Sequence, residues 1–229
     1  MERHLRSVLR VVPGDTLRVG VVNGPRGAAT VRHDPDETIV LAVRWDDLSQ
    51  RDVSIPLTVL LGHPRPPVLT RLWRDLSAMG VARIVVFPAV LTERSYTSST
   101  VWNDTRRYLL EGLSQGAHTA LPEVTATRNL AEALTAVHSP YRFAAFAGER
   151  SESLPQIMCT VAENPEPTTI CVGPERGFVD SELQALTATG FRFVGLGEHT
   201  LRTETASILF AGSLATAIGP ICSDTEIEL

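Results

Sequence analysis

Apolar residues in this chain fall into short runs that stop at glycine, proline or polar clusters. In residues 1–50 the runs are brief. Positions 17–22, 28–32 and 38–43 predict three strands, with Asn23-Gly24-Pro25-Arg26-Gly27 as the turn between the first two. An apolar segment ahead of them ends in the tight turn Pro13-Gly14-Asp15, and residues 45–55 are polar and charged and read as a linker. Residues 56–61 then predict a buried strand. Apolar positions 68, 69, 72, 76 and 79 form a helical stripe that Gly80 ends. A strand at 83–86, a polar loop at 91–100, helices over 101–117 and 130–137 and a strand at 143–147 follow, and 151–168 reads as a polar, proline-containing excursion.

The last third is the most informative. Runs at 169–172 and 191–196 suit buried strands, and each stops at glycine: Gly173-Pro174 after the first, Gly195-Leu196-Gly197 at the second. Between them 179–189 predicts a helix, with Asp180 and Ser181 as N-cap candidates and Gly190 as its stop. Residues 205–218 predict a mostly buried helix, small and apolar on every side. This alternation of strand, loop and helix defines an α/β fold, in which ligands sit at the carboxyl ends of the strands. Both glycine loops fall there. Glycine lets backbone N–H and C=O groups approach a flat ligand without a Cβ in the way. The second loop adds Arg202-Thr203-Glu204-Thr205: a guanidinium, a carboxylate and two hydroxyls where a helix begins.

No stretch approaches the ~18 apolar residues of a membrane span. The start, MERHLRSVLR, is charged and lacks the apolar core of a signal peptide. Cys159, Cys171 and Cys222 have no metal-ligand spacing, and the six histidines form no cluster. The expectation is a cytoplasmic protein with reduced thiols and no metal. The net charge of −5 is unevenly spread: residues 1–110 carry 15 arginines against 11 acids, residues 111–229 carry 6 against 15. That asymmetry is compatible with a basic face for phosphates and equally with a solvated surface. No GxGxxG, Walker A or GxSxG pattern stands in its proper context, which disfavours other glycine-loop enzymes.

Val172-Gly173-Pro174-Glu175-Arg176-Gly177-Phe178, followed by Leu196-Gly197-Glu198-His199-Thr200-Leu201-Arg202-Thr203-Glu204-Thr205-Ala206, resembles the paired signature of the bacterial ribosomal RNA uridine-N3 methyltransferases of the SPOUT class. His4-Leu5-Arg6-Ser7-Val8-Leu9-Arg10 through Gly14-Asp15, and Glu93-Arg94-Ser95, match further motifs of that family. The resemblance implies a trefoil-knotted methyltransferase domain over 53–229, preceded by a small PUA-like β-barrel over 1–52. It implies S-adenosylmethionine as cofactor, ribosomal RNA or the small ribosomal subunit as partner, and a homodimer. The cofactor would be cupped by Gly148, Val172, Gly173, Pro174, Glu175, Gly177, Leu196, Gly197, Thr200, Leu201 and Thr203. RNA would meet Arg3, His4, Arg10, Arg26, Arg94 and Ser95. Uridine N3 is a weak acid, so a nearby cation favours its deprotonated form. Arg202 is the candidate for that role, with Glu204 orienting it or accepting the proton.

The chain departs from the pattern in places. Arg176 stands at the second glycine of GPEGG, and His199-Thr200 replaces the first part of RILRTETA. Only Arg65 could stand for an upstream lysine; TELGV becomes Ser77-Ala78-Met79-Gly80-Val81; EAxEQSxR keeps only Glu111 and Gln115 of its charged and amide residues. The alternative these changes raise is a non-catalytic RNA- or ribosome-binding protein with the same fold.

Overall fold

The computed structural model describes residues 5–33, 38–46, 52–146, 148 and 151–219. These divide into two compact units, one of 1–53 with 117–120, the other of 54–116 with 121–229.

The first unit opens with a π-helical turn, Leu5–Leu9, and holds an antiparallel sheet of β1 (Thr16–Gly20), β2 (Arg26–His33) and β3 (Ile39–Trp45) in that order. Alternation along β2 puts Gly27, Ala29 and Val31 on the buried face. On the other face Arg18 lies opposite Ala28, and Ala28 opposite Arg44, so two exposed guanidiniums flank a small residue. Residues 117–120 return to this unit from the far end of a helix. Thr119 is buried, donates its N–H to Asp52 at 2.7 Å and its hydroxyl to the Gly24 carbonyl at 2.7 Å. Nothing in the linear pattern signalled this return.

The second unit is a seven-stranded parallel sheet in the order β6-β5-β4-β9-β7-β10-β8. Its strands are β4 (Ile55–Gly62), β5 (Val81–Phe87), β6 (Glu123–Ala126), β7 (Tyr141–Ala145), β8 (Glu152–Ser153), β9 (Thr168–Val172) and β10 (Arg192–Gly195). Its helices are α1 (Pro66–Ala78), α2 (Arg94–Thr97), α3 (Thr105–Gly116), α4 (Leu130–Thr135), α5 (Leu154–Glu163), α6 (Asp180–Ala188) and α7 (Thr203–Ile218). The order is interleaved: β9 inserts between β4 and β7, and β10 between β7 and β8. Parallel sheets are covered on both faces, and β9 is accordingly buried along its whole length. Leu57, Val59, Leu61, Phe143 and Ile170 pack with Leu69, Leu72, Trp73, Ile157, Phe210 and Leu214 in one cluster. Leu60, Val85, Phe87, Ala144 and Cys171 pack with Leu130, Leu134 and Leu186 in another. Burial pushes the Cys171 thiol far above its ordinary range, leaving it an inert core residue.

Three expectations are corrected. The helix over 101–117 is a 3₁₀ turn, Thr100–Asp104, followed by α3; Ser99 caps the turn by accepting the Val101 N–H at 3.4 Å. The N-cap of α6 is Val179, not Asp180 or Ser181. Glu182, one turn in, accepts the Val179 N–H at 3.1 Å and the Val90 N–H at 2.9 Å, tying two loops together through one buried carboxylate. The excursion at 151–168 contains β8 and α5, the latter begun by Pro155 in the first turn, where a missing N–H costs nothing.

Candidate functional site

Because the strands run parallel, Gly62, Ala145, Val172 and Gly195 end on the same edge of the sheet, and the loops that follow them meet there. The loops after β4 and β9 touch backbone to backbone. A Cβ at Gly62 would meet Pro174 Cδ at 2.5 Å and Pro174 N at 2.8 Å. The Arg65 N–H donates to Glu175 Oε1 at 2.9 Å. Gly177, at φ +71°, closes a turn by donating its N–H to the Pro174 carbonyl at 2.9 Å. From the β10 side, Thr203 donates its hydroxyl to the Gly173 carbonyl at 3.2 Å. Gly197, at φ +123°, has open space where a Cβ would stand and adopts a backbone conformation that glycine tolerates freely.

These loops enclose an open cavity of about 1020 Å³. Ala145, Phe146, Val172, Phe178, Val194, Leu196, Leu201 and Ala206 supply apolar wall, and the glycine loops supply backbone polar groups. Around them stand Arg65, Arg71, Arg176 and Arg202 with His199, against two carboxylates, Glu175 and Glu204. Glu204 is bound by Arg71, with Nη2 2.6 Å from Oε2. Arg202 and Arg176 are exposed and make no side-chain hydrogen bond or ion pair among the described residues.

Ten of the expected cofactor residues line this cavity: Val172, Gly173, Pro174, Glu175, Gly177, Leu196, Gly197, Thr200, Leu201 and Thr203. Arg202 and Glu204 line it too. Gly148 does not; it is an exposed bend whose N–H donates to Ser151 Oγ at 3.0 Å, and the end of β7 contributes Ala145 and Phe146 instead. Of the two expectations for Glu204, orienting Arg202 or accepting the proton, the first is corrected: its Oε2 is held by Arg71, and no bond to Arg202 occurs among the described residues. Sequence reading also missed Arg71, Val68 and Pro67, although Arg71 follows Val68 by three residues and Pro67 by four, which puts it on the same face of the first turns of α1. Arg65 reaches the site after all, by its backbone and through Nε, 3.9 Å from Glu175.

Of the RNA candidates, Arg3 and His4 lie outside the described residues. Arg10 is exposed at φ +50°. Arg26 is paired with Asp52 at 2.8 Å and reaches the Ala117 carbonyl at 3.4 Å. Arg94 and Ser95 are exposed on α2, where their carbonyls accept the Thr97 and Ser98 hydroxyls, and neither lines the cavity.

His63 follows Gly62 and is only 2 % exposed. Its Nδ1 is 2.8 Å from the Pro64 carbonyl, which can only accept, so Nδ1 carries the proton and Nε2 has no hydrogen-bond partner among the described residues. Trp102, Tyr96 and Trp73 surround it as a chain of ring contacts 5.1–6.1 Å apart. Desolvation holds the imidazole below its usual value, against weaker opposing effects of the Pro64 carbonyl and Glu175. Among the described residues no group of three or more His, Cys, Asp and Glu side chains could hold a metal ion.

A parallel α/β sheet with glycine loops around a ligand-sized cavity at its carboxyl edge defines a nucleotide- or cofactor-binding enzyme class. A family model described as RNA methyltransferase domain matches residues 51–215. The ribosomal RNA small subunit methyltransferase E of Treponema pallidum is 30 % identical over 210 residues, covering 89 % of this chain and 78 % of that protein. Ribosomal RNA small subunit methyltransferase E 1 of Borreliella burgdorferi is 30 % identical over 216 residues, covering 93 % and 88 %. The fold matches the crystal structure of ribosomal RNA small subunit methyltransferase E from Neisseria gonorrhoeae bound to S-adenosyl methionine, with a TM-score of 0.74, 20 % identity and coverage of 93 % and 87 %. The chain therefore belongs to the RNA methyltransferase domain family and, within it, to the ribosomal RNA small subunit methyltransferase E proteins.

Proposed function

We propose that the protein transfers a methyl group from S-adenosylmethionine to N3 of a uridine in small-subunit ribosomal RNA. The observation that carries this is the convergence of both glycine motifs on one cavity, with Arg202 on its lining and without a side-chain partner among the described residues. The cavity fits the cofactor: apolar wall suits an adenine ring, the backbone of the glycine loops offers donors and acceptors, and the two carboxylates suit hydroxyls and a cationic centre. Arg176 lines the cavity without filling it, which favours turnover over the non-catalytic alternative.

Bound S-adenosylmethionine supplies a methyl carbon activated by its sulfonium. The chain's own residues do the rest. The Arg202 guanidinium stabilises negative charge as N3 loses its proton, the kind of preorganised contact worth roughly 10²–10³ in rate. Arg71 occupies Oε2 of Glu204 and leaves Oε1 to accept that proton. The loops brace one another through Gly62, Thr203 and the Arg65 N–H, and so fix where donor and acceptor meet.

The interleaved strand order supports a trefoil-knotted chain, and the small antiparallel sheet supports a PUA-like domain over 1–52, with the methyltransferase domain over 53–229. That first domain would dock RNA, with Arg18 and Arg44 joining Arg10 and Arg26. A homodimer working in the cytoplasm completes the reading. The test is incorporation of labelled methyl from S-adenosylmethionine into small ribosomal subunits and into naked small-subunit RNA, wild type beside Arg202→Ala. Incorporation at a uridine N3, lost in the variant, is the expected result. No incorporation into either substrate by the wild type would refute it.

A further inference from the structure

Resting on the reading of this site as one for RNA methyl transfer, we propose that Arg176 binds a phosphate of the RNA strand carrying the acceptor base. The cavity would then read RNA backbone at its own rim, beside the cofactor.

Charge is the first support. Four arginines line the cavity against two glutamates, and both glutamates have a charged partner, Glu204 in Arg71 and Glu175 in Arg65, whose Nε lies 3.9 Å from Oε1. Among the described residues Arg176 and Arg202 are left over, in a half of the chain where 6 arginines face 15 acids. Uncompensated positive charge concentrated in an acidic half calls for an anion. The cofactor does not supply it: a sulfonium and an ammonium outweigh its one carboxylate. RNA does.

Geometry is the second. Arg176 sits at the corner of the turn that Gly177 closes onto Pro174, and its neighbour Glu175 is anchored by the Arg65 N–H. The backbone beneath the guanidinium is therefore held at both sides, while the side chain itself is exposed. A planar guanidinium on a braced turn suits a phosphate, which it can meet with two parallel N–H donors. Space is the third. Small-ligand pockets run to about 300–1,000 Å³, and this open cavity of about 1020 Å³ leaves room for a nucleotide next to a cofactor. Arg202 is committed to the reacting base, so the rim phosphate falls to Arg176.

The experiment uses the full chain with Arg176→Ala, Arg176→Gly and Arg176→Lys. Methyl transfer to small-subunit RNA is followed from about 50 to about 200 mM salt, S-adenosylmethionine affinity by calorimetry, and affinity for a single-stranded RNA oligonucleotide by fluorescence anisotropy. The Ala and Gly variants should raise the RNA KM several-fold at low salt with kcat and cofactor affinity nearly unchanged. Their salt dependence should lose about 0.7–0.9 in log–log slope, the share of one phosphate. Lys should restore part of both. Weaker cofactor binding with an unchanged RNA KM would overturn the proposal and give Arg176 to the methionine carboxylate. No change in any quantity would make it a bystander. Absence of methyl transfer by the wild type would strike the activity instead, and the anisotropy would still decide whether Arg176 binds RNA.

Discussion

Glu204 is held by Arg71, 133 residues earlier in the chain, with 2.6 Å between Nη2 and Oε2. The pair joins the second turn of α1 to the first turn of α7, and both residues line the cavity. Its side chains are 53 % and 26 % exposed, so its share of stability is small, about 0.2–1 kcal/mol for such pairs. Its effect on Glu204 is positional. Arg71→Ala should leave melting almost unchanged and, if Glu204 accepts the proton as proposed, lower kcat by about tenfold or more, since displacing such a group costs rate steeply. Steady-state kinetics beside thermal melts decide it; an unchanged kcat would remove Arg71 from the site.

Gly62 has no room for a side chain. Alanine there would drive Pro174 away, because its Cβ would lie 2.5 Å from Pro174 Cδ. Overpacking of this kind costs about 1–3 kcal/mol, and here the strain falls on the loop carrying Gly173. Gly62→Ala should bind S-adenosylmethionine at least tenfold more weakly in calorimetry. Retention of wild-type affinity would show that the loops do not depend on this contact.

Thr203 is buried and its hydroxyl satisfies the Gly173 carbonyl. Thr203→Val keeps the shape but removes the donor, which leaves a carbonyl short of a partner at about 1–3 kcal/mol. Denaturant unfolding should show that loss, and Thr203→Ser should recover most of it. Equal loss in both variants would point to the methyl group, not the hydroxyl.

His63 makes stability depend on pH. Its folded value lies below the ordinary 6.5, so between the two the unfolded chain binds the extra proton. Stability is then fully present above about 6.5 and falls as pH drops below it. Melting curves from pH 5 to pH 8 should show this decline for the wild type and a weaker one for His63→Phe. Identical pH profiles would rule the imidazole out as its source.

What was legible in the sequence was local. The two glycine loops are contiguous motifs, so most of the cavity lining could be named in advance. Arg65 and Arg71 could not be assigned partners, because those partners lie 110 and 133 residues away and only the sheet brings them together. β6 and β8, with four residues and two, are too short to show a period. The helix α5 was hidden by its polar flanks, although Ile157 and Val161, four apart and both fully buried, mark its inner face. Strand order is invisible to periodicity altogether. Residues 117–120 look like an ordinary helix exit, and it is tertiary bonds, those of Thr119 and that of Arg26 to the Ala117 carbonyl, that place them with the first unit.

The place of β9 beside β4 sets a timetable for the chain as it leaves the ribosome. β4 finds β5 within a few dozen residues, but its other edge pairs with Thr168–Val172, more than a hundred residues later. At about 5–20 residues per second, that edge stays bare for roughly 5–20 s, offering the apolar backbone of Leu57–Leu61 to any passing strand. The centre of the sheet, and with it the cavity, is therefore among the last parts to form, and the nascent protein is most exposed to mispairing while its second unit is still being made.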